Sequence, residues 1–129
     1  MKIEHVAIWV NDLERMKDFY CSYFNGKPSN KYINEQKGFS SYFITFNQGA
    51  RLELMHSIKL TNKLLIVKAM DFGLAHIAIS VGSTSAVDII TNNFKNDGYM
   101  IVGEPRLTGD GYYESCVLDP ENNRIEVTV

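Results

Sequence analysis

The sequence predicts an α+β fold made from one strand–helix–strands module written twice. Three observations carry this reading. The stretches "EHVAIWV" (4–10) and "AHIAISV" (75–81) each set a His before an apolar-rich run that ends in Val. Each is followed by a stretch with helical periodicity. Each half then closes on Arg-apolar-Glu, "RLELM" at 51–55 and "RIEVT" at 124–128. The spacings agree as well, with 48 positions from His5 to Glu53 and 50 from His76 to Glu126. Chance likeness in one strand is cheap, but likeness in two strands with the same polar residue each time is not. The expectation is a single domain over 1–129, with modules at about 1–57 and 73–129 and a linker at 58–72.

The elements follow in chain order. After the first strand, Leu13, Met16, Phe19, Tyr20, Tyr23 and Phe24 recur at helical spacing. Asn11 and Glu14 fit an N-cap and its partner three residues on, and Gly26 with Pro28 fits a stop. The strands "SYFITFN" and "RLELMH", parted by a turn at "QGA", complete the half. In the second half, Ala86, Val87, Ile90 and Phe94 form the apolar face of a helix capped by a Ser or Thr and ended by Gly98. Strand signals follow in "YMIVGEP", "YYESCVLD" and "RIEVTV", with "DPENN" as the tight turn before the last. The run "LLIVKAM" in the linker fits a short helix, a strand or a flap equally well.

Composition narrows the function classes. With 129 residues, 45% apolar and 12% aromatic, the chain can fill a core without disulfides. Net charge is −2 and the basic residues are scattered, which argues against nucleic acid or an anionic membrane as partner. No apolar run approaches a bilayer span and no signal peptide is evident, so a cytoplasmic location is the expectation. Cys21 and Cys116 read as reduced thiols.

Strand alternation then sorts the polar residues. Val6, Ile8 and Val10 share one face, and His5, Ala7 and Trp9 the other. Ile77, Ile79 and Val81 oppose His76, Ala78 and Ser80. Leu52 and Leu54 oppose Arg51, Glu53 and Met55, while Ile125 and Val127 oppose Arg124, Glu126 and Thr128. The apolar faces must pack on the helices, which leaves both His and both Glu on the far side. If the strands of the two halves curl into one open barrel, His5, Glu53, His76 and Glu126 converge inside it. Two carboxylates in such a place repel, and a divalent cation relieves them. Two imidazoles and two carboxylates suit a first-row ion such as Ni, Co, Mn, Fe or Zn, with positions left open for substrate. Arg51 and Arg124 share the face of the Glu two residues on. They orient the carboxylates, meet an anionic substrate, or stay solvated at the barrel end.

These residues resemble the vicinal oxygen chelate superfamily, and within it most of all the glyoxalase I branch. The likeness rests on "EHVAIWVNDLERMKDFY", "RLELM", "AHIAISV" and "VLDPENNRIEV" and covers nearly the whole chain. It implies duplicated βαβββ modules forming an open, U-shaped sheet around one divalent metal held by His5, Glu53, His76 and Glu126. It also implies a homodimer and a small-molecule substrate. In that branch the substrate is a hemithioacetal, a thiol adduct, from which Glu126 removes the carbon-bound proton; Glu126 or Glu53 returns it to the neighbouring carbon. Trp9 and "MHS" (55–57) stand where glutathione-using members carry basic or polar residues and an Asn. Tyr112 and Tyr113, in the Gly-rich "TGDGYYES", are candidates with Trp9 for the pocket wall. The same scaffold serves epimerases, thiol transferases, dioxygenases and bleomycin-resistance-like binding proteins. Transferases and dioxygenases usually use two His and one Glu, and the drug-binding relatives have lost the ligands, so the four-residue set favours the glyoxalase type.

Overall fold

A computed structural model describes residues 1–61 and 73–129. The expected linker therefore lies mostly outside the described residues, and "LLIVKAM" lies wholly outside them. The chain divides into two compact units, Met1–Leu64 and Leu65–Val129.

In the first unit, β1 (His5–Trp9) leads into α1 (Leu13–Phe24). Two short strands follow, β2 (Lys27–Pro28) and β3 (Tyr32–Asn34), then a 3-10 turn (Glu35–Lys37) and the long hairpin of β4 (Phe39–Thr45) and β5 (Arg51–Ser57). The sheet order is β1-β5-β4-β2, with β3 also on β4. β1 runs parallel to β5, and β4 is antiparallel to β5, β2 and β3. In the second unit β6 (Ile77–Ser80), α2 (Thr84–Asn96), β7 (Ile101–Leu107), β8 (Tyr113–Leu118) and β9 (Arg124–Thr128) form a sheet in the order β6-β9-β8-β7. Again the first strand is parallel to the last and the others are antiparallel. The module is thus repeated, with the short β2 in the place of β7 and β3 as an addition on β4, both too short to leave a pattern in the sequence.

Each helix covers one face of its own sheet. Leu13, Met16, Phe19, Tyr20 and Phe24 of α1 are buried, as are Ile44, Leu52 and Leu54 of the sheet beneath. Val87, Thr91 and Phe94 of α2 are buried with Val117, Ile125 and Val127. Removal from water of side chains of this size favours folding by about 1.5–3 kcal/mol each. The helix ends differ from expectation by one residue. Asp12 rather than Asn11 caps α1, its carboxylate accepting from the Arg15 N–H at 3.0 Å. Asn25 rather than Gly26 takes the left-handed position at the other end (φ 53°). Gly26 lies under Ile44, whose Cγ2 would stand 2.4 Å from any added Cβ. The cap of α2 is Ser83, which accepts from the Ala86 N–H at 3.2 Å.

Polar contacts also tie helix to sheet. Thr91 Oγ1 donates to the Val87 carbonyl at 2.7 Å. Its proton being so used, the hydroxyl of Ser115 on β8 donates to it, also at 2.7 Å. Both residues are fully buried. On α1, Glu14 accepts from Lys31 (2.8 Å), Lys17 (3.0 Å) and the Tyr42 hydroxyl (3.1 Å). Hydrogen bonds from Lys31, Lys17 and Tyr42 hold its carboxyl down at about 2.

Thr91→Val should cost about 1–3 kcal/mol in denaturant unfolding, because Ser115 is left buried without its partner. Adding Ser115→Ala should recover part of that loss. The Glu14 cluster predicts a pH dependence. Its folded-state value lies below the ordinary 4.5, so its stabilisation is present above pH 4.5 and is lost as pH falls towards 2. For this half-exposed group, Glu14→Gln should destabilise by no more than about 1 kcal/mol at pH 7. The gap to wild type should close between about pH 4.5 and pH 2.

Candidate metal centre

The strand pairing decides which side chains meet. In the first unit His5 pairs with Arg51, Ala7 with Glu53 and Trp9 with Met55. His5 and Glu53 thus share a face two steps apart on adjacent parallel strands. His5 Nε2 stands 3.9 Å from Glu53 Oε2. In the second unit Ala78 pairs with Glu126, and His76, one residue before β6, comes to the same face. Its Nε2 is 3.0 Å from Glu126 Oε2. Both carboxylates are sheltered, Glu53 with 15% and Glu126 with 23% of its side chain exposed, while the imidazoles are more open. Each unit therefore presents one ring nitrogen beside one carboxylate oxygen. These are donors of the right kind for a borderline first-row cation, two from each unit. Within neither unit, among the described residues, do three or more such side chains gather as a ready metal cage.

The surroundings of the two pairs differ. Beside Glu53 on β4 stands Phe43, whose ring meets His5 edge-on at 5.4 Å and carries the Arg51 guanidinium at 4.0 Å. Arg51 turns to Glu4, with Nε 2.8 Å from Oε1. Glu4 in turn accepts from His5 Nδ1–H at 2.5 Å. The His5 hydrogen bond, assisted by Arg51, holds the Glu4 carboxyl below its usual range. Glu4 was not among the sequence candidates, and its one signal was its place beside His5. In the second unit Cys116 is opposite Glu126, and Arg124 Nη1 lies 4.0 Å from its Sγ. Burial pushes the Cys116 thiol up. Cys21 and Cys116 are both free thiols.

The remaining candidates divide by face. Trp9 lies on the His5 side, 52% exposed, and meets Phe39 edge-on at 6.1 Å; Tyr32 follows at 6.0 Å from Phe39. Tyr112 is exposed in the turn between β7 and β8, its carbonyl accepting from the Thr108 N–H at 2.8 Å. Tyr113 is on the helix side, its hydroxyl donating to Asp88 of α2 at 2.8 Å. Neighbouring strand residues point to opposite faces, so Tyr113 goes with Ser115 and Val117 towards α2, not with Glu126. His56 likewise lies on the face of Leu52 and Leu54, with Nδ1–H donating to the Val10 carbonyl at 3.0 Å. The turn that launches β9 is built on Asp119, buried, which accepts from the N–H groups of Glu121 and Asn123 at 2.9 Å each.

A repeated unit with one helix on a mixed sheet, and a His–Glu pair on the open face each time, defines a class of protein. The family model described as the Glyoxalase/Bleomycin resistance protein/Dioxygenase superfamily matches residues 2–127, and the chain belongs to this superfamily. The superfamily is largely enzymatic and typically uses a divalent metal. Among solved structures, glyoxalase I from Zea mays is 22% identical over 98% of this chain (TM-score 0.75), and the chain spans 44% of its length. The trypanothione-dependent glyoxalase I of Leishmania major is 23% identical, with 99% of this chain and 86% of that one covered (TM-score 0.77). A glyoxylase/bleomycin resistance protein/dioxygenase domain from Frankia sp. EAN1pec is 17% identical, covering 100% and 97% (TM-score 0.83). At such identities the likeness is one of fold. A search of curated protein sequences finds no significant match. No helix among the described residues is long and apolar enough to cross a membrane.

Tyr113→Phe tests the face assignment. It should lower the midpoint of thermal or denaturant unfolding slightly, from the loss of the Asp88 contact, and leave binding of any metal or small molecule unchanged.

Proposed function

We propose that the protein is a divalent-metal-dependent lyase of the glyoxalase I type, acting on a hemithioacetal or a similar small substrate with vicinal oxygens. The observation that carries this reading is the matched pair of half-sites. Each unit sets a His nitrogen within 4 Å of a Glu oxygen on the sheet face turned from its helix. His5, Glu53, His76 and Glu126 would together hold one ion within a single domain of two modules. The bound cation would supply charge to stabilise an ene-diolate and would orient the vicinal oxygens.

The chain's own residues do the rest. Glu126 takes the carbon-bound proton, and Glu126 or Glu53 returns a proton to the neighbouring carbon. A carboxylate with most of its surface out of water is a stronger base towards a bound carbon acid than a solvated one. Trp9 and the exposed Tyr112 are assigned to the substrate, with Trp9 favouring an apolar or aromatic portion over the carboxylates of glutathione. Arg51 and Arg124 act on the side chains around the ligands. A homodimer in the cytoplasm is the proposed form.

The Trp9–Phe39–Tyr32 aromatic row favours one second reading, sequestration of a flat apolar ligand without chemistry. Calorimetric titration of the metal-free chain with Ni, Co, Mn and Zn separates the two. One ion per chain is expected, with His5→Ala and Glu126→Gln each weakening binding at least tenfold. Glu126→Gln should also abolish turnover of α-oxoaldehyde–thiol adducts. Two ions per chain, or affinities that neither variant changes, would overturn the shared site. Absence of metal binding together with tight binding of aromatic ligands would favour sequestration.

A further inference from the structure

We infer that Glu4, braced by Arg51, is a positioning residue that fixes His5 as its Nδ1–H tautomer and leaves Nε2 bare for a divalent cation, making the first His–Glu pair the stronger half of the site. This rests on the reading of His5 as a metal ligand. An ionised carboxylate only accepts, so the 2.5 Å contact between His5 Nδ1 and Glu4 Oε2 puts the proton on Nδ1. The other nitrogen, Nε2, is the one that faces Glu53.

The carboxylate is itself held in place. Its second oxygen takes the Arg51 Nε–H at 2.8 Å, and the Glu4 carbonyl accepts from the Arg51 backbone N–H at 3.0 Å. The guanidinium is stacked on Phe43, the same ring that meets His5 edge-on. His5, Glu4, Arg51 and Phe43 therefore form a closed circuit around one imidazole. A hydrogen bond of this kind to the far nitrogen of a ligand His orders the ring and raises the basicity of the donor nitrogen.

The second unit departs from this plan. Ala75 stands at the place of Glu4, Cys116 at that of Phe43, and Arg124, the counterpart of Arg51, lies by the Cys116 sulfur. Among the described residues the His–Glu pair is written twice, but the brace is written once.

Long-range nitrogen–proton NMR of the metal-free full chain at pH 8 reads the tautomer directly. His5 should show the Nδ1–H form in wild type and in Glu4→Gln, whose amide oxygen still accepts. It should become a mixture in Glu4→Ala. Titration with Ni or Zn should show Glu4→Ala weakened about tenfold and Glu104→Gln, a surface control, unchanged. His5→Ala should weaken binding more than His76→Ala. An unaltered tautomer in Glu4→Ala, or an affinity within twofold of wild type, would overturn the role of Glu4. A wild-type chain that binds neither ion but shows the tautomer shift would overturn the metal reading of His5 and the ranking of the halves, and would leave the positioning of His5 by Glu4 standing.

Discussion

Everything placed on the open faces of this protein depends on the parallel pairing of the first and last strand in each unit. That pairing sets Ala7 beside Glu53 and Ala78 beside Glu126, and so brings a His from one strand alongside a Glu from the other. A shift of one residue would turn the carboxylate to the helix side and an aliphatic side chain outwards. What prevents the shift is the core. Leu52 and Leu54 are buried beneath α1, and Ile125 and Val127 beneath α2. Moving any of these into water costs several kcal/mol in total, so the position of each carboxylate is enforced by the aliphatic neighbours that alternate with it.

Duplication explains the likeness of the two pairs, and divergence has acted on what surrounds them. The strand next to the Glu offers an aromatic ring, Phe43, in one unit and a thiol, Cys116, in the other. The residue before the His is an acid in one and an Ala in the other. Such differences keep the His–Glu pair and change the side chains around it.

Much of this was legible in the sequence because period-two alternation and a 48- versus 50-residue spacing survive without any knowledge of packing. The helices, the long strands, the buried faces and the His–Glu partition follow from them. The parts that were missed depend on finer geometry. Asn11 and Asp12 are equally good caps by composition, and the entry of the chain into α1 selects Asp12. Tyr112 and Tyr113 look interchangeable until the start of β8 is known, and then alternation sends Tyr113 to Asp88. Thr91 reads as a break in the apolar stripe of α2, yet it is buried because Ser115 on β8 meets it. Glu4 gave no periodic signal, since it stands just before β1 and the contact that braces it comes from Arg51, distant in the chain on β5.

The proposed function has one ion held by His5, Glu53, His76 and Glu126. X-ray absorption on the cobalt-loaded chain counts imidazoles at the metal directly. Two imidazoles per ion are expected in wild type, falling to one in His76→Ala with Glu126 still present. One imidazole per ion in wild type, with His5 and His76 each holding its own cobalt, would contradict it.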